Sequence, residues 1–216
     1  GVNNGGSAHL NITGCTFDQT HHGIRSYGSY GNYSNNMVRN TFASGLAILD
    51  HHTTIENNTI EDIALFPGLG EPFWGYFGMY CRGQENIVRN NVVDNVGNSN
   101  IFMEGSGLVE RNIVSRGLAT VNDGGGIYFD NADGLIIQDN FVSDLDGNME
   151  SQAMDGGVNF KIGHGIYFGN AVIHDVIVRR NTVHNCRGAG INVDHTMVSS
   201  GIQVRNNILY DNDMQL

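Results

Sequence analysis

Proline and lysine are nearly missing from this sequence, with two of the first and one of the second (Lys161) in 216 residues. Scarce proline beside thirty glycines excludes a proline-rich linker and suits many short strands joined by turns. No run approaches the roughly 18 apolar residues of a membrane-crossing helix. Basic side chains are few, and the formal charge of −11 argues against a nucleic-acid partner. A polyanionic glycan stays open, because a local basic patch would suffice to bind it. Three cysteines (Cys15, Cys81, Cys186) cannot all pair and read as buried thiols. The neighbouring histidines His21-His22 and His51-His52 point apart in an extended chain, so no zinc site is expected. A Ser-His-Asp set and a phosphate-binding loop are also missing. The chain opens at Gly1 without a signal peptide and reads as a mature or excised piece.

What is present is a repeat. An aliphatic residue, two free positions, Asn, one free position and another apolar residue recur in Met37–Phe42, Ile55–Ile60, Val88–Val93, Val109–Val114, Ile137–Val142, Val178–Val183 and Val204–Leu209. Ile12–Phe17 is an eighth copy with Cys15 in the Asn place. The interval between copies is irregular and the apolar alternation short, so the units are strands rather than a helical repeat. Asn tolerates the left-handed backbone of a tight corner, and stacked amides bond to one another. The Asn is therefore expected at a corner of every coil.

A second motif precedes each corner: Gly23-Ile-Arg, Leu46-Ala-Ile-Leu, Gly78-Met-Tyr-Cys, Ile101-Phe-Met-Glu, Gly126-Ile-Tyr-Phe-Asp, Gly165-Ile-Tyr-Phe-Gly and Gly190-Ile-Asn-Val-Asp. Alternation buries Ile127 with Phe129, Ile166 with Phe168 and Ile191 with Val193. Together the two motifs resemble the right-handed parallel β-helix, the pectate-lyase-like architecture with an Asn ladder, over about residues 8–212. The resemblance implies an all-β solenoid of about eight coils, one domain over 1–216, with the Gly-Ile strands forming its first sheet. No amphipathic helix covers either end. The chain is thus expected to belong to a larger protein or assembly whose further domains or subunits cap the coil.

Chain length between the Asn unit and the next Gly-Ile strand varies most, with insertions at 61–78 and 143–165. The first carries Trp74, and the second carries Lys161 and leads into His164. Such loops wall one side of the stack.

Aligned Gly-Ile strands set two outward columns. One holds Arg25, Ile48, Tyr80, Phe102, Tyr128, Tyr167 and Asn192; the other holds Tyr27, Asp50, Arg82, Glu104, Asp130, Gly169 and Asp194. In the enzymes this fold resembles, the substrate groove lies on this sheet. Aromatic rings beside fixed polar groups suit a sugar. The expected catalytic set is Asp130, Glu104, Asp194 and His164. The expected substrate contacts are Tyr128, Tyr167, Tyr80, Arg82, Trp74, Asp123 and His195. Coils rise about 4.8 Å each, so Glu104 with Asp130 suits a retaining glycosidase pair, and Asp130 with Asp194 an inverting one.

The leading expectation is a secreted or cell-surface glycoside hydrolase with polysaccharide as its partner and no obligatory cofactor. One alternative is a polysaccharide lyase acting by β-elimination on a uronate glycan, with Ca2+ at Asp130 or Asp194. The other is a non-catalytic module, such as a tailspike or adhesin segment.

Overall fold

The structure is a computed structural model and describes residues 1–70, 75–150, 161–169, 171–194 and 199–216. Among the described residues there are 21 strands and no helix. All strand pairs are parallel, in a thirteen-stranded and an eight-stranded sheet. The chain winds through eight coils with three faces. The first face stacks Val2–Asn4, Ile24–Ser26, Leu46–Ile48, Met79–Arg89, Ile101–Glu110, Gly125–Gln138, His164–Phe168 and Ile191–Val193. The three long strands among these cross a bend and continue on the second face beside Thr54–Glu56 and Ile177–Arg179. The third face runs from Thr16–Asp18 to Ile208–Tyr210.

The bend needs glycine. Gly83 has φ 144°, and a Cβ there would lie 2.0 Å from the carbonyl oxygen of Asp50. One coil on, Gly105 has φ 100° and the same conflict with the carbonyl of Gly83. A side chain at either rung would push coils apart.

Alternation fills the interior in columns. Ile24, Leu46, Met79, Ile101, Ile127, Ile166 and Ile191 pair rung to rung and are fully buried. Val38, Ile60, Val93, Val114, Val142 and Val183 do the same from the third face. Each such side chain contributes about 1.5–3 kcal/mol of burial, and rungs at the stack ends contribute less. Val193, expected inside, is 45% exposed because it lies in the eighth and last coil. Cys15, likewise expected inside, is exposed in the first coil, whereas Cys81 and Cys186 are buried. Burial pushes both of those thiols up, Cys186 to about 12, which leaves them unreactive.

Buried asparagines hold one corner together. Side-chain amides donate in sequence from Asn36 to Asn58 (3.1 Å), Asn58 to Asn91 (2.9 Å), Asn91 to Asn112 (3.0 Å), Asn112 to Asn140 (3.0 Å), Asn140 to Asn181 (3.0 Å) and Asn181 to Asn207 (3.0 Å). Each Oδ1 also accepts the backbone N–H of the preceding Asn, and each Nδ2 bonds a main-chain carbonyl such as that of Ile55 or Val88.

Two details differ from expectation. The second copy is Tyr33–Val38 with Asn36 in the column; Asn40 lies outside it, exposed, bonding Asp18 (2.9 Å). In addition, the left-handed residue is the one before the column Asn. Asn35, Asn57, Asn90, Arg111, Asp139, Arg180 and Asn206 have φ between 54° and 56°. The column Asn keeps ordinary backbone and spends its amide on its neighbours.

Asn91→Ala is expected to cost about 3 kcal/mol, because it strands the donors of Asn58 and the carbonyl of Ile55. Asn40→Gly should stay within about 0.5 kcal/mol, since glycine suits its left-handed backbone. Chemical denaturation of the two variants checks the assignment of the column.

Candidate functional site

Register decides which side chains share the outer face of the first sheet. Leu46–Ile48 pairs as Leu46 with Met79, Ala47 with Tyr80 and Ile48 with Cys81. The first outward column is therefore Arg25, Ala47, Tyr80, Phe102, Tyr128, Tyr167 and Asn192. Ile48 and Asp50, expected outside, both point inward, because a one-residue slip exchanges the faces of a strand. Asp50 is 1% exposed and accepts from Tyr33 Oη (2.7 Å), Ser26 Oγ (3.0 Å) and the backbone N–H of Gly28.

The aromatic column stacks on itself. Ring centroids are 5.3 Å apart from Tyr80 to Phe102, 4.7 Å from Phe102 to Tyr128 and 4.9 Å from Tyr128 to Tyr167. Phe77 covers Phe102 at 5.0 Å, so a small second core sits on the face. The rings of Tyr80 and Tyr167 are buried against these neighbours rather than spread for a sugar. Their hydroxyls remain available to carboxylates: Tyr80 donates to Glu104 Oε2 (2.5 Å) and Tyr167 to Asp194 Oδ2 (2.6 Å). Burial, followed by these carboxylates, pushes both phenols above their ordinary range. Tyr128 shifts the same way, from burial and the charge of Asp130.

In the second column Arg82, Glu104 and Asp130 occupy successive rungs. Glu104 is nearly buried and accepts on both oxygens, from Tyr80 Oη on Oε2 and from Asn131 Nδ2 (3.1 Å) on Oε1, with the Arg82 guanidinium at ion-pair distance (3.7 Å) from Oε2. Asp130 is half-buried, and its Oδ1 accepts the backbone N–H groups of Asn131 (3.1 Å) and Ala171 (2.8 Å). Burial outweighs those bonds and raises its pKa above the usual 3.8, with a further push from Glu104. Gly169, on the next rung, makes room: a Cβ there would sit 2.7 Å from the Tyr128 ring and 3.0 Å from Asp130 Cγ.

The face is not one groove: two adjoining depressions lie toward the first coils and a third toward the last. A depression of 500 Å3 holds Arg82 and Glu104 with Tyr27, His51, Gln84 and Asn131. It adjoins one of 220 Å3 that shares Tyr27, Leu49 and Arg82 and adds Arg25. Toward the last coils, 680 Å3 is lined by Asp123, His164, Tyr167 and Asp194, joined by Lys161 and Arg187. Asp130 lies on the rungs between. Trp74 and His195 fall outside the described residues. Asn131, Leu49 and Asp213 escaped the sequence reading, which placed Tyr27 and Asn192 on the outward face without giving them a role. Asn131 carried a faint signal, an Asn directly after the strand where a left-handed turn (φ 44°) follows.

His164 is 8% exposed, and its Nδ1 accepts the backbone N–H of Ala189 (2.9 Å). That bond fixes the neutral tautomer with the proton on Nε2. Burial lowers its pKa to about 4, against the opposing charge of Asp194. Gly188 accommodates the ring, since a Cβ would lie 2.7 Å from Nδ1. With Nδ1 occupied and the proton on Nε2, His164 presents a hydrogen-bond donor to the depression. Among the described residues, no three His, Cys, Asp or Glu side chains gather as a metal cage.

Residues 44–215 match the family described as the right-handed beta helix region, and the chain belongs to that family. No curated protein matches the sequence. Of solved structures, Dettilon tailspike protein (gp208) is similar over 98% of this chain at 15% identity, with a TM-score of 0.57. The chain spans only 43% of that tailspike's length. Alginate lyase from Paenibacillus sp. str. FPU-7 is similar over 97% of this chain and 80% of its own, at 14% identity and a TM-score of 0.49. At such identities the likeness concerns the fold.

Two titrations follow. Histidine 15N shifts should show His164 as the Nε2–H tautomer from pH 8 down to 5, charging only near 4; a transition near 6.5 would contradict the geometry. Because its folded pKa lies below the unfolded value, His164 withdraws stability as pH falls from 6.5 toward 4. Asp130 has the opposite sign. Its raised pKa gives stability that is full below 3.8 and lost as pH rises through the folded value. Asp130→Asn should accordingly be more stable than the parent at pH 7, with the gain vanishing below pH 3.8, as read by chemical denaturation at the two pH values.

Proposed function

We propose that this protein hydrolyses a polysaccharide outside the cell or at its surface, with Glu104 and Asp130 as the carboxylate pair. One observation carries the reading. The two carboxyls sit on adjacent rungs in unlike surroundings, Glu104 among donors and Asp130 where burial favours the protonated form. Pairs whose environments separate their protons divide acid and nucleophile roles. Asp130 gives its proton to the leaving glycosidic oxygen as Glu104 bonds to the sugar carbon; a water, deprotonated by Asp130, then displaces Glu104 from that carbon and restores both carboxyls. A rung of about 4.8 Å is near the roughly 5–5.5 Å of retaining enzymes. In the 680 Å3 depression, His164 Nε2–H and Asp194 hold sugar hydroxyls of a neighbouring residue.

The lyase reading is weaker here because β-elimination needs a base. The three tyrosines hold their protons more tightly than usual, and His164 has Nδ1 occupied. A binding module with no chemistry is the remaining rival.

Purified protein incubated with neutral and uronate polysaccharides separates the three. New reducing ends without unsaturated ends support hydrolysis, reducing ends together with unsaturated ends absorbing in the near ultraviolet indicate a lyase, and neither indicates a binding module. Asp130→Asn and Glu104→Gln should each lower kcat by about 10²–10⁴-fold with the thermal melt retained. Undiminished cleavage by Asp130→Asn would remove the pair from the mechanism.

A further inference from the structure

Charge is divided along this face. The depression toward the last coils is edged by Asp123, Asp194 and Asp213, against Lys161 and Arg187. Lys161 contacts Asp146, and Arg187 faces Asp146 and Asp213, each at 3.6 Å. The two adjoining depressions toward the first coils carry Arg25, Arg82, His22 and His51, with Glu104 as their one acid among the described residues. In a chain of formal charge −11, this local reversal of sign is a distinct surface feature.

Its donors face outward. Arg82 has a side chain 62% exposed, and its contact to Glu104 is 3.7 Å, too long for a tight fork. His51 is exposed, and its Nδ1 accepts the backbone N–H of Gln84 (3.1 Å), which leaves Nε2–H to donate. Gln84 accepts from Ser106 Oγ (2.8 Å) through Oε1, and its Nε2 lies over Gly105, 3.3 Å from where a Cβ on that glycine would be. Arg25 is anchored by donating to Tyr27 Oη (2.7 Å). The floor is glycine backbone at Gly83 and Gly105, which allows close approach. A guanidinium, an imidazole N–H and an amide over bare backbone form a donor-rich cup suited to an anion of carboxylate, sulfate or phosphate-ester size.

We infer that this cup is an anion subsite: Arg82, with His51 and Gln84, takes an acidic substituent on a sugar lying toward the first coils from the Glu104–Asp130 pair. The inference rests on the glycan-acting reading above and names its substrate as acidic along part of its length. The acid-edged depression at the other end disfavours a second anion there, which orients the chain of sugars along the stack.

The test uses the full chain as Asp130→Asn, so that binding is read without cleavage. Calorimetry compares oligogalacturonate (carboxylate), dextran sulfate oligomers (sulfate ester) and dextran of equal length. At least one anionic probe should bind tenfold or more tighter than dextran at 50 mM salt, with the preference shrinking at 500 mM. Arg82→Gln should lose most of that preference, and His51→Phe part of it. Arg205→Gln makes the same charge change on the second face and should leave the preference intact. Equal affinity for dextran, binding of neither anionic probe, or an equal loss in Arg205→Gln would overturn the subsite. Reducing-end release by the parent protein is scored separately. Cleavage without anion preference sinks only the subsite, and anion preference without cleavage sinks only the hydrolase reading.

Discussion

Every feature of the outer face depends on coils staying in register, and the buried asparagine column enforces that register. Each amide in it bonds a carbonyl in the previous coil and an amide in the next, as Asn91 does with Ile55 and Asn112. A slip by one residue would break several buried hydrogen bonds at once and turn each inward isoleucine to water. The column therefore acts as a ruler. It sets Glu104 opposite Asp130 and lines up four aromatic rings at stacking distance.

That regularity shapes the chemistry available. Identical rungs bring like residues together, so aromatic rings meet aromatic rings and carboxyls meet carboxyls. Stacked rings exclude water from their own hydroxyls, and those hydroxyls then donate to the acids of the next column. Asp130, beside the rings, is partly desolvated by them. Local departures from the repeat supply the variety: Asn131 reaches back to Glu104, Gly169 opens space beside Asp130, and His164 replaces the first glycine of its strand.

Much of the architecture was legible in residues 55–209, where the Asn copies are regular. Reading failed where two rules competed. Asn36 and Asn40 both lie near apolar neighbours, and pattern alone favoured Asn40. Burial and the bond to Asn58 select Asn36. At Leu46–Ile48 the register was taken one residue off, although Gly45 stacks between Gly23 and Gly78 as the glycine lead of this strand, and that slip put Asp50 outside. In the fold it neutralises donors in the interior with Tyr33 and Ser26.

By itself the sequence determined a parallel coil with an asparagine at one corner, and it put Glu104, Asp130 and Asp194 in one outward file, because period and alternation are local properties. Only the tertiary structure decided how those carboxyls are used. Depth, hydrogen-bond partners and the division of the face into separate depressions come from side chains that are remote in sequence. Tyr80 meets Glu104 across 24 residues and Ala171 meets Asp130 across 41. A carboxyl's surroundings, which set its proton affinity, are not written in its own strand.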